Sequence, residues 1–200
     1  YVADKKLFFQ YKNNHNVIYR TNRVKDDNME YSLITELGSM CRIQKGVGDY
    51  YLNVCNHATI DYLSNYLDIL TLSVELEDRD IKDIMSYYDK KCNVELIVYG
   101  TIELMLMKYC PINLNANKDR VCRVCLDNHK YYIKDRNDKV YRILTDVDTH
   151  HAHIMHYNPI NKIDNIKSYY YLGIRNYRLE LFDEDYETTA KLINSLNFNN

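Results

Sequence analysis

Between residues 50 and 99 the chain alternates short apolar runs with amphipathic segments. This regular alternation constrains the fold more than any other sequence feature. The apolar runs start at positions 50, 69 and 94, so successive starts are 19 and 25 residues apart. This spacing is typical of β-α units in a parallel sheet or barrel. The predicted strands are Tyr50–Val54, Ile69–Ser73 and Val94–Tyr99, and the predicted helices are Ala58–Tyr66 and Asp78–Tyr88.

The flanking regions extend the pattern. The carboxyl-terminal part predicts a helix over Ile163–Leu172 closed by Gly173, a strand over Tyr177–Phe182 and a final helix over Asp185–Leu196. The amino-terminal part predicts a strand at Lys6–Tyr11 and a short amphipathic helix within Met29–Met40, with Gly38 as its stop signal. We therefore expect one α/β domain over residues 1–200, a partial TIM-type β-α barrel of about five strands.

Three closely spaced cysteines lie where the alternation of predicted strands and helices is interrupted. Cys110, Cys122 and Cys125 have the spacing C-x11-C-x2-C, which can place soft thiolate ligands on one metal ion or cluster. A thioredoxin-like redox pair should open a helix after a strand, and the residues around Cys122 predict neither element. The alternative is that the thiols are small core residues, an interpretation we favour for Cys41, Cys55 and Cys92.

A β-hairpin is predicted after the cysteines, from Tyr131–Asp135 and Lys139–Thr145. Together with the cysteine loop it forms an insertion at residues 108–145. Five of the seven histidines lie between positions 129 and 156, but the segment lacks the H-E-x-x-H pattern of zinc enzymes.

Polar residues follow the predicted strands, at the rim where β-α barrels carry their active sites. Asn53 and Glu75 are the candidate catalytic residues, since an acid at this rim is costly to bury without a partner or a task. The alternative for Glu75 is an ordinary carboxylate at a helix start. Tyr99, at the end of a third strand, is a candidate substrate-binding residue.

Charge is uneven along the chain, although the net charge is only -2. Residues 118–142 contain eight basic and four acidic side chains, and could receive an anionic substrate through Lys118, Arg120 and Arg123. The alternative is a solvated hairpin face. No apolar stretch reaches the roughly 20 residues of a membrane span and no signal peptide is evident, so we expect a cytoplasmic protein that contacts no membrane.

Six short motifs, taken in order, resemble the collagenase-like peptidase family U-thirty-two. The resemblance covers roughly Met29 to Leu196, and no single motif is diagnostic. The motifs are DYYLNVCN at 49–56, LTLSVEL at 70–76, ELIVYG at 95–100, KYCP at 108–111, YYIKDR at 131–136 and LGI at 172–174.

This resemblance implies a TIM-type barrel of bacterial origin. Although the family is named for peptidases, it includes proteins that hold a 4Fe-4S cluster on four cysteines and take part in oxygen-independent hydroxylation of transfer RNA or a quinone precursor. Prephenate is the implied oxygen donor. Cys110, Cys122 and Cys125 match three family cysteines, His150 stands where the fourth is expected, and Thr101 replaces a frequent arginine.

The fourth ligand stays open at this point. Besides His150, the alternatives are His151, His153, Cys41, Cys55, or a cysteine on a part of the protein absent here. Histidine replaces cysteine on iron in Rieske centres, but the ligand can also have been lost in a degenerate copy.

The sequence leaves three candidate functions. The first is an iron–sulfur enzyme that modifies RNA, with tRNA as its partner. The second is a peptidase, which the sequence supports poorly because it has no G-x-S-x-G or H-E-x-x-H motif. The third is a truncated, non-catalytic domain stabilised by zinc, in which a second polypeptide would complete the barrel and cover its open edges.

Overall fold

The computed structural model describes residues 1, 3–13, 16–21, 23, 31–42, 45–112, 129–146 and 149–196. The chain divides into two compact units. The first comprises Tyr1–Val98 and Asp164–Arg178, and the second comprises Tyr99–Ile163 and Leu179–Asn200. Each is described by itself below.

The first unit is built on a parallel sheet. Its strands follow one another in chain order and are joined in parallel registers such as Val47↔Ile69 and Leu70↔Val94. A sixth strand, Asn176–Glu180 (β11), pairs with Asn93–Gly100 (β5), and the six parallel strands form a curled half-barrel. The strands are β1 (Tyr19–Arg20), β2 (Tyr31–Ile34), β3 (Lys45–Gly48), β4 (Ile69–Thr71), β5 (Asn93–Gly100) and β11 (Asn176–Glu180).

Helices alternate with these strands. They are α1 (Lys5–Tyr11), α2 (Leu37–Met40), α3 (His57–Leu63), α4 (Asp78–Ser86) and α5 (Ile166–Tyr171). α4 shows why the predicted helices form. Glu77 and Asp80 close a capping box at its start, and Ile81, Ile84 and Met85 share the face that is buried. α3 begins in the same way, since the Asn56 side chain accepts a hydrogen bond from the Thr59 N–H.

The core of the first unit lies on both faces of its sheet, as expected for parallel strands covered by helices. Leu33, Val47, Leu70, Leu72 and Val98 are fully buried. Each such side chain contributes about 1.5–3 kcal/mol relative to an exposed one. The predictions of β4, β5, α3, α4, α5 and β11 are confirmed within a few residues at their ends.

Three local predictions are wrong. Residues 50–52 form a 3-10 helix rather than a strand, because Asp49 caps the turn and Asn53 ends it at φ 52°. Residues 31–34, predicted as helix, form a strand whose last three residues are buried. The predicted strand at Lys6–Tyr11 is a helix, capped by the side chain of Asp4.

The strand before α3 is β3 (Lys45–Gly48), and its two glycines allow the neighbouring strands to approach closely. A Cβ atom on Gly46 would lie 2.6 Å from the carbonyl oxygen of Ser32, and one on Gly48 would lie 2.9 Å from Cδ2 of Leu70. Such a strand has a weak apolar signal in the sequence, which explains why the prediction placed it at residue 50.

The second unit contains a four-stranded antiparallel sheet. Its strands lie in the order Glu103–Met107 (β6), Ala152–Met155 (β9), Val140–Thr145 (β8) and Tyr131–Lys134 (β7). The predicted hairpin is confirmed as β7 and β8, where the Asp135 carboxylate accepts the N–H groups of Asn137 and Lys139 in the turn. The elements of this unit are β6 (Glu103–Met107), β7 (Tyr131–Lys134), β8 (Val140–Thr145), β9 (Ala152–Met155), β10 (Ile160–Asn161) and α6 (Tyr186–Leu196). None of the described helices is long and apolar enough to cross a membrane.

Candidate functional site

Four strand ends meet at one end of the antiparallel sheet. β6 finishes at Met107 and β9 begins at Ala152, and these two residues are opposite each other. β8 finishes at Thr145, which is also opposite Ala152, and β7 begins at Tyr131, opposite Ile143. The connections 108–130 and 146–151 therefore leave and re-enter the sheet at this same end, which we call the ligand end.

The predicted metal ligands belong to these two connections. Cys110 follows Met107 by three residues and is a half-buried free thiol. His150 precedes Ala152 by two residues, is exposed, and has a left-handed φ of 57° supported by its N–H bond to the Asp146 carbonyl at 2.9 Å. β6 and β9 thus direct the chain towards Cys110 and His150 at the ligand end.

Several predicted site residues lie outside the described residues. They are Lys118, Arg120, Cys122, Arg123 and Cys125. Within the described part of the chain, no three His, Cys, Asp or Glu side chains are grouped so that they could hold a metal ion. The two described donors, a free thiol and an exposed imidazole, have the chemistry that an iron–sulfur cluster or zinc requires.

The two nearby histidines, His151 and His153, each have a hydrogen-bond partner at Nδ1. Nδ1 of His151 is 2.9 Å from the Thr149 carbonyl oxygen, and Nδ1 of His153 is 2.6 Å from a carboxylate oxygen of Glu103. Sequence reasoning missed the Glu103 pair. A register shift between Glu103 and Met105 lets this carboxylate face His153, a local re-aiming typical of β-bulges.

The predicted catalytic residues are placed less favourably. Glu75 is exposed and its N–H lies 3.4 Å from the Ser73 hydroxyl, so the argument from a costly buried acid does not apply to it. Asn53 accepts hydrogen bonds from the Ser73 hydroxyl at 2.8 Å and from the Cys55 thiol at 3.2 Å. The rim therefore brings Asn53 and Ser73 together. Tyr99 is half-buried, and burial with the nearby Glu184 raises its phenol pKa.

A buried ionic cluster in the first unit is the main feature that sequence reasoning missed. Asp49, directly after β3, is fully buried and binds two arginines. One carboxylate oxygen accepts a hydrogen bond from Nε of Arg20 at 2.9 Å and lies 2.8 Å from Nη2 of the same guanidinium. The other accepts Nη2 of Arg178 at 2.7 Å and the Tyr50 N–H at 2.7 Å. Asp49 thus joins β1, β3 and β11.

Glu95 of β5 completes the cluster. Its Oε1 lies 3.3 Å from Nε of Arg178 and accepts the Thr71 hydroxyl at 2.9 Å. Its Oε2 accepts the Tyr1 hydroxyl at 2.9 Å, and burial and this carboxylate both raise the pKa of Tyr1. Arg20 and Arg178 balance Asp49 and Glu95 in charge. Removing one partner of a buried ion cluster is costly, because it leaves an uncompensated charge in the interior.

Cys92 is the buried thiol of the first unit, as the core interpretation predicted, whereas Cys41 is exposed and Cys55 half-buried. Burial, with Asp89 and Asp61 nearby, raises the pKa of Cys92 from 9.0 to about 11. The unfolded thiol ionises first as pH rises, so this contribution to stability is complete below pH 9 and is lost as pH rises towards 11.

We therefore expect the free energy of unfolding to fall between pH 9 and about 11. Urea midpoints measured across this range test the expectation in wild type, Cys92→Ala and Cys41→Ala. The Cys92→Ala slope should be shallower than that of wild type, because the variant lacks the Cys92 thiol. Other groups that titrate in this pH range affect both proteins alike. Cys41→Ala should keep the wild-type slope. Equal slopes in all three proteins would contradict the assignment.

No protein-family model, curated protein or solved structure matches the chain.

Proposed function

We propose that this chain is an iron–sulfur enzyme of the type implied by the U-thirty-two resemblance, with Cys110, Cys122, Cys125 and His150 as cluster ligands and RNA as substrate. One observation carries the proposal. The four-stranded sheet joins its strands so that the connection containing the three cysteines and the connection containing His150 belong to the same sheet end.

The donor chemistry supports this choice. Thiolates are the ligands of iron–sulfur clusters, and histidine takes two of the four positions in Rieske centres. Cys110 is free and His150 is exposed, while His151 and His153 hold other partners through Nδ1. These hydrogen bonds leave Nε2 of both rings open to a metal, so His150 is preferred as the fourth ligand because it stands where the family resemblance places a cysteine. A bound cluster would supply one-electron chemistry, and prephenate is the proposed oxygen donor on the family resemblance alone.

RNA as the substrate is supported by charge in the hairpin that follows the cysteine loop. Residues 129–146 carry five basic side chains against three acidic ones, Asp135, Asp138 and Asp146. Asp135 is bound within the turn by two backbone N–H groups. A positive balance of this kind suits phosphate groups. Lys134 is paired with Asp138, and Lys130 and Arg142 lie near Asp183, so Arg136 and Lys139 contribute most of the positive charge. The basic side chains are Lys130, Lys134, Arg136, Lys139 and Arg142.

A zinc-stabilised, non-catalytic domain is the second candidate. It is favoured by the sheet, since six parallel strands fall short of the eight in a closed barrel. Such a domain would use the same thiols to hold zinc, which binds sulfur and nitrogen donors readily. The two candidates therefore differ in the metal that the ligand end retains.

Metal and sulfide analysis after anaerobic purification tests the proposal. We expect iron and acid-labile sulfide in wild type, and loss of most of both in Cys110→Ala. His150→Asn should also lose iron, because asparagine accepts the left-handed backbone at this position but is not a cluster ligand. His150→Cys should retain at least as much iron as wild type.

Cys41→Ala is the matched control, since it removes an exposed thiol of the first unit and should keep full iron. Zinc without sulfide in the wild-type protein would favour the non-catalytic domain. Full iron in Cys110→Ala would contradict the ligand assignment. Metal-independent peptide hydrolysis, abolished by a single side-chain substitution, would instead favour the peptidase.

A further inference from the structure

We propose that a groove in the first unit binds an alkylguanidinium group, the chemistry of an arginine side chain. The groove has a volume of about 280 Å³ and lies between the start of α3 and one face of α4. It shares no residue with the proposed iron–sulfur site. The lining residues are Cys55, Asn56, His57, Leu76, Asp80, Asp83, Ile84 and Tyr87.

The α4 wall combines charge, apolar surface and an aromatic ring. Asp80, Asp83, Ile84 and Tyr87 follow the pattern i, i+3, i+4, i+7, so they share one side of the helix. Ile84 is buried and forms apolar surface together with Leu76 of the loop before the helix. A ligand with an aliphatic stem and a cationic head matches this order of surfaces.

The charge of the groove is negative. Among the described residues that line it, two are aspartates and none is lysine or arginine. Asp80 is partly engaged, since it accepts the Glu77 N–H at 3.1 Å and lies 3.4 Å from Nε of Arg79. Asp83 is exposed on the neighbouring turn and is therefore the main acceptor for an incoming cation.

The aromatic side of the groove favours guanidinium over ammonium. The Tyr87 ring is 71% exposed, and its centroid lies 5.1 Å from that of His57 with an interplanar angle of 34°. A guanidinium is planar, stacks on aromatic rings and binds carboxylates through two parallel hydrogen bonds. An ammonium ion offers neither the flat face nor the fork. Tyr87 and Asp83 together thus suit the head group of arginine.

Cys55 provides a reporter inside the groove. Its thiol is half-buried and lines the cavity, whereas the thiol of Cys41 is exposed and does not line it. Alkylation of each cysteine by N-ethylmaleimide can be followed by peptide mass spectrometry in the full chain. We expect butylguanidinium to slow the modification of Cys55 while Cys41 reacts at an unchanged rate.

The control ligands and variants isolate charge and shape. Butylurea has the shape of butylguanidinium without its charge and should give no protection, and butylammonium should protect less. Asp83→Asn should weaken butylguanidinium binding about two- to fivefold, as expected for one exposed ion pair. Asp61→Asn removes an equal charge from α3 at a residue that does not line the groove, and should bind as wild type does.

Titration calorimetry gives a second readout that does not depend on thiol reactivity. Equal protection by butylurea, unchanged binding by Asp83→Asn, or the absence of both protection and heat at millimolar butylguanidinium would overturn the proposal. An acetylated Gly-Gly-Arg-Gly-Gly amide distinguishes the source of the ligand. Tighter binding of this peptide than of butylguanidinium identifies an arginine on a partner chain, and weaker binding identifies a free small molecule.

Discussion

Asp49→Ala is expected to lower the free energy of unfolding by about 3–5 kcal/mol, the range measured when one partner of a buried ion pair is removed. Asp49 is fully buried and accepts hydrogen bonds from both Arg20 and Arg178, whose charges would then lose their shared carboxylate. The alanine also removes the cap of the following 3-10 helix, since Asp49 accepts the Tyr50 N–H. Urea denaturation followed by circular dichroism measures the loss.

Asp68→Ala is the matched control for this substitution. Asp68 lies 3.8 Å from Lys45 and its side chain is 40% exposed, so its removal should cost no more than about 1 kcal/mol. Asp49→Asn separates charge from shape, because the amide can still accept the Tyr50 N–H but leaves the arginine charges unbalanced. Equal unfolding midpoints for Asp49→Ala and Asp68→Ala would show that the Asp49 cluster is solvated rather than internal.

The parts of the fold that the sequence predicted well have local causes. α4 carries its own capping box and a clear apolar face, and β4 and β5 are apolar except for Thr71, Asn93 and Glu95. The third strand was misplaced because Gly46 and Gly48 serve contacts made by residues elsewhere in the chain, at Ser32 and Leu70. A close approach between distant segments leaves no periodic pattern in the strand that permits it.

The candidate sites divide in the same way. That two connections share one end of the antiparallel sheet could be predicted from the hairpin, since it depends on neighbouring strands of that sheet. The assignment of Cys110, Cys122, Cys125 and His150 as ligands stays a prediction. The Asp49 cluster could not be predicted from the sequence, because Arg20 is 29 residues and Arg178 is 129 residues from Asp49 along the chain. The available signal was charge within apolar strands, as at Glu95 and Arg178, which are 5% exposed. A buried charge in a strand indicates a partner without naming it.

Gly100→Ala is expected to destabilise the protein by about 3–5 kcal/mol, combining steric overlap with backbone strain. Gly100 ends β5 at φ +146°, where side chains are disfavoured. A Cβ atom there would lie 2.5 Å from Cβ and 2.8 Å from Cα of Glu180, and closer still to the Glu180 carbonyl oxygen. Relief requires β5 and β11 to separate at this point, because most of the clashing atoms belong to the backbone.

Gly173→Ala separates the two contributions. Gly173 has φ +101°, but its nearest atom to an added Cβ is Cε of Met85 at 3.9 Å, an ordinary contact. This variant should therefore lose only the strain of about 1–2 kcal/mol. Urea midpoints of the two variants, measured in parallel, give the steric part as their difference. Equal losses would mean that the contact between Gly100 and Glu180 relaxes freely, so that the close approach of β5 and β11 does not require glycine.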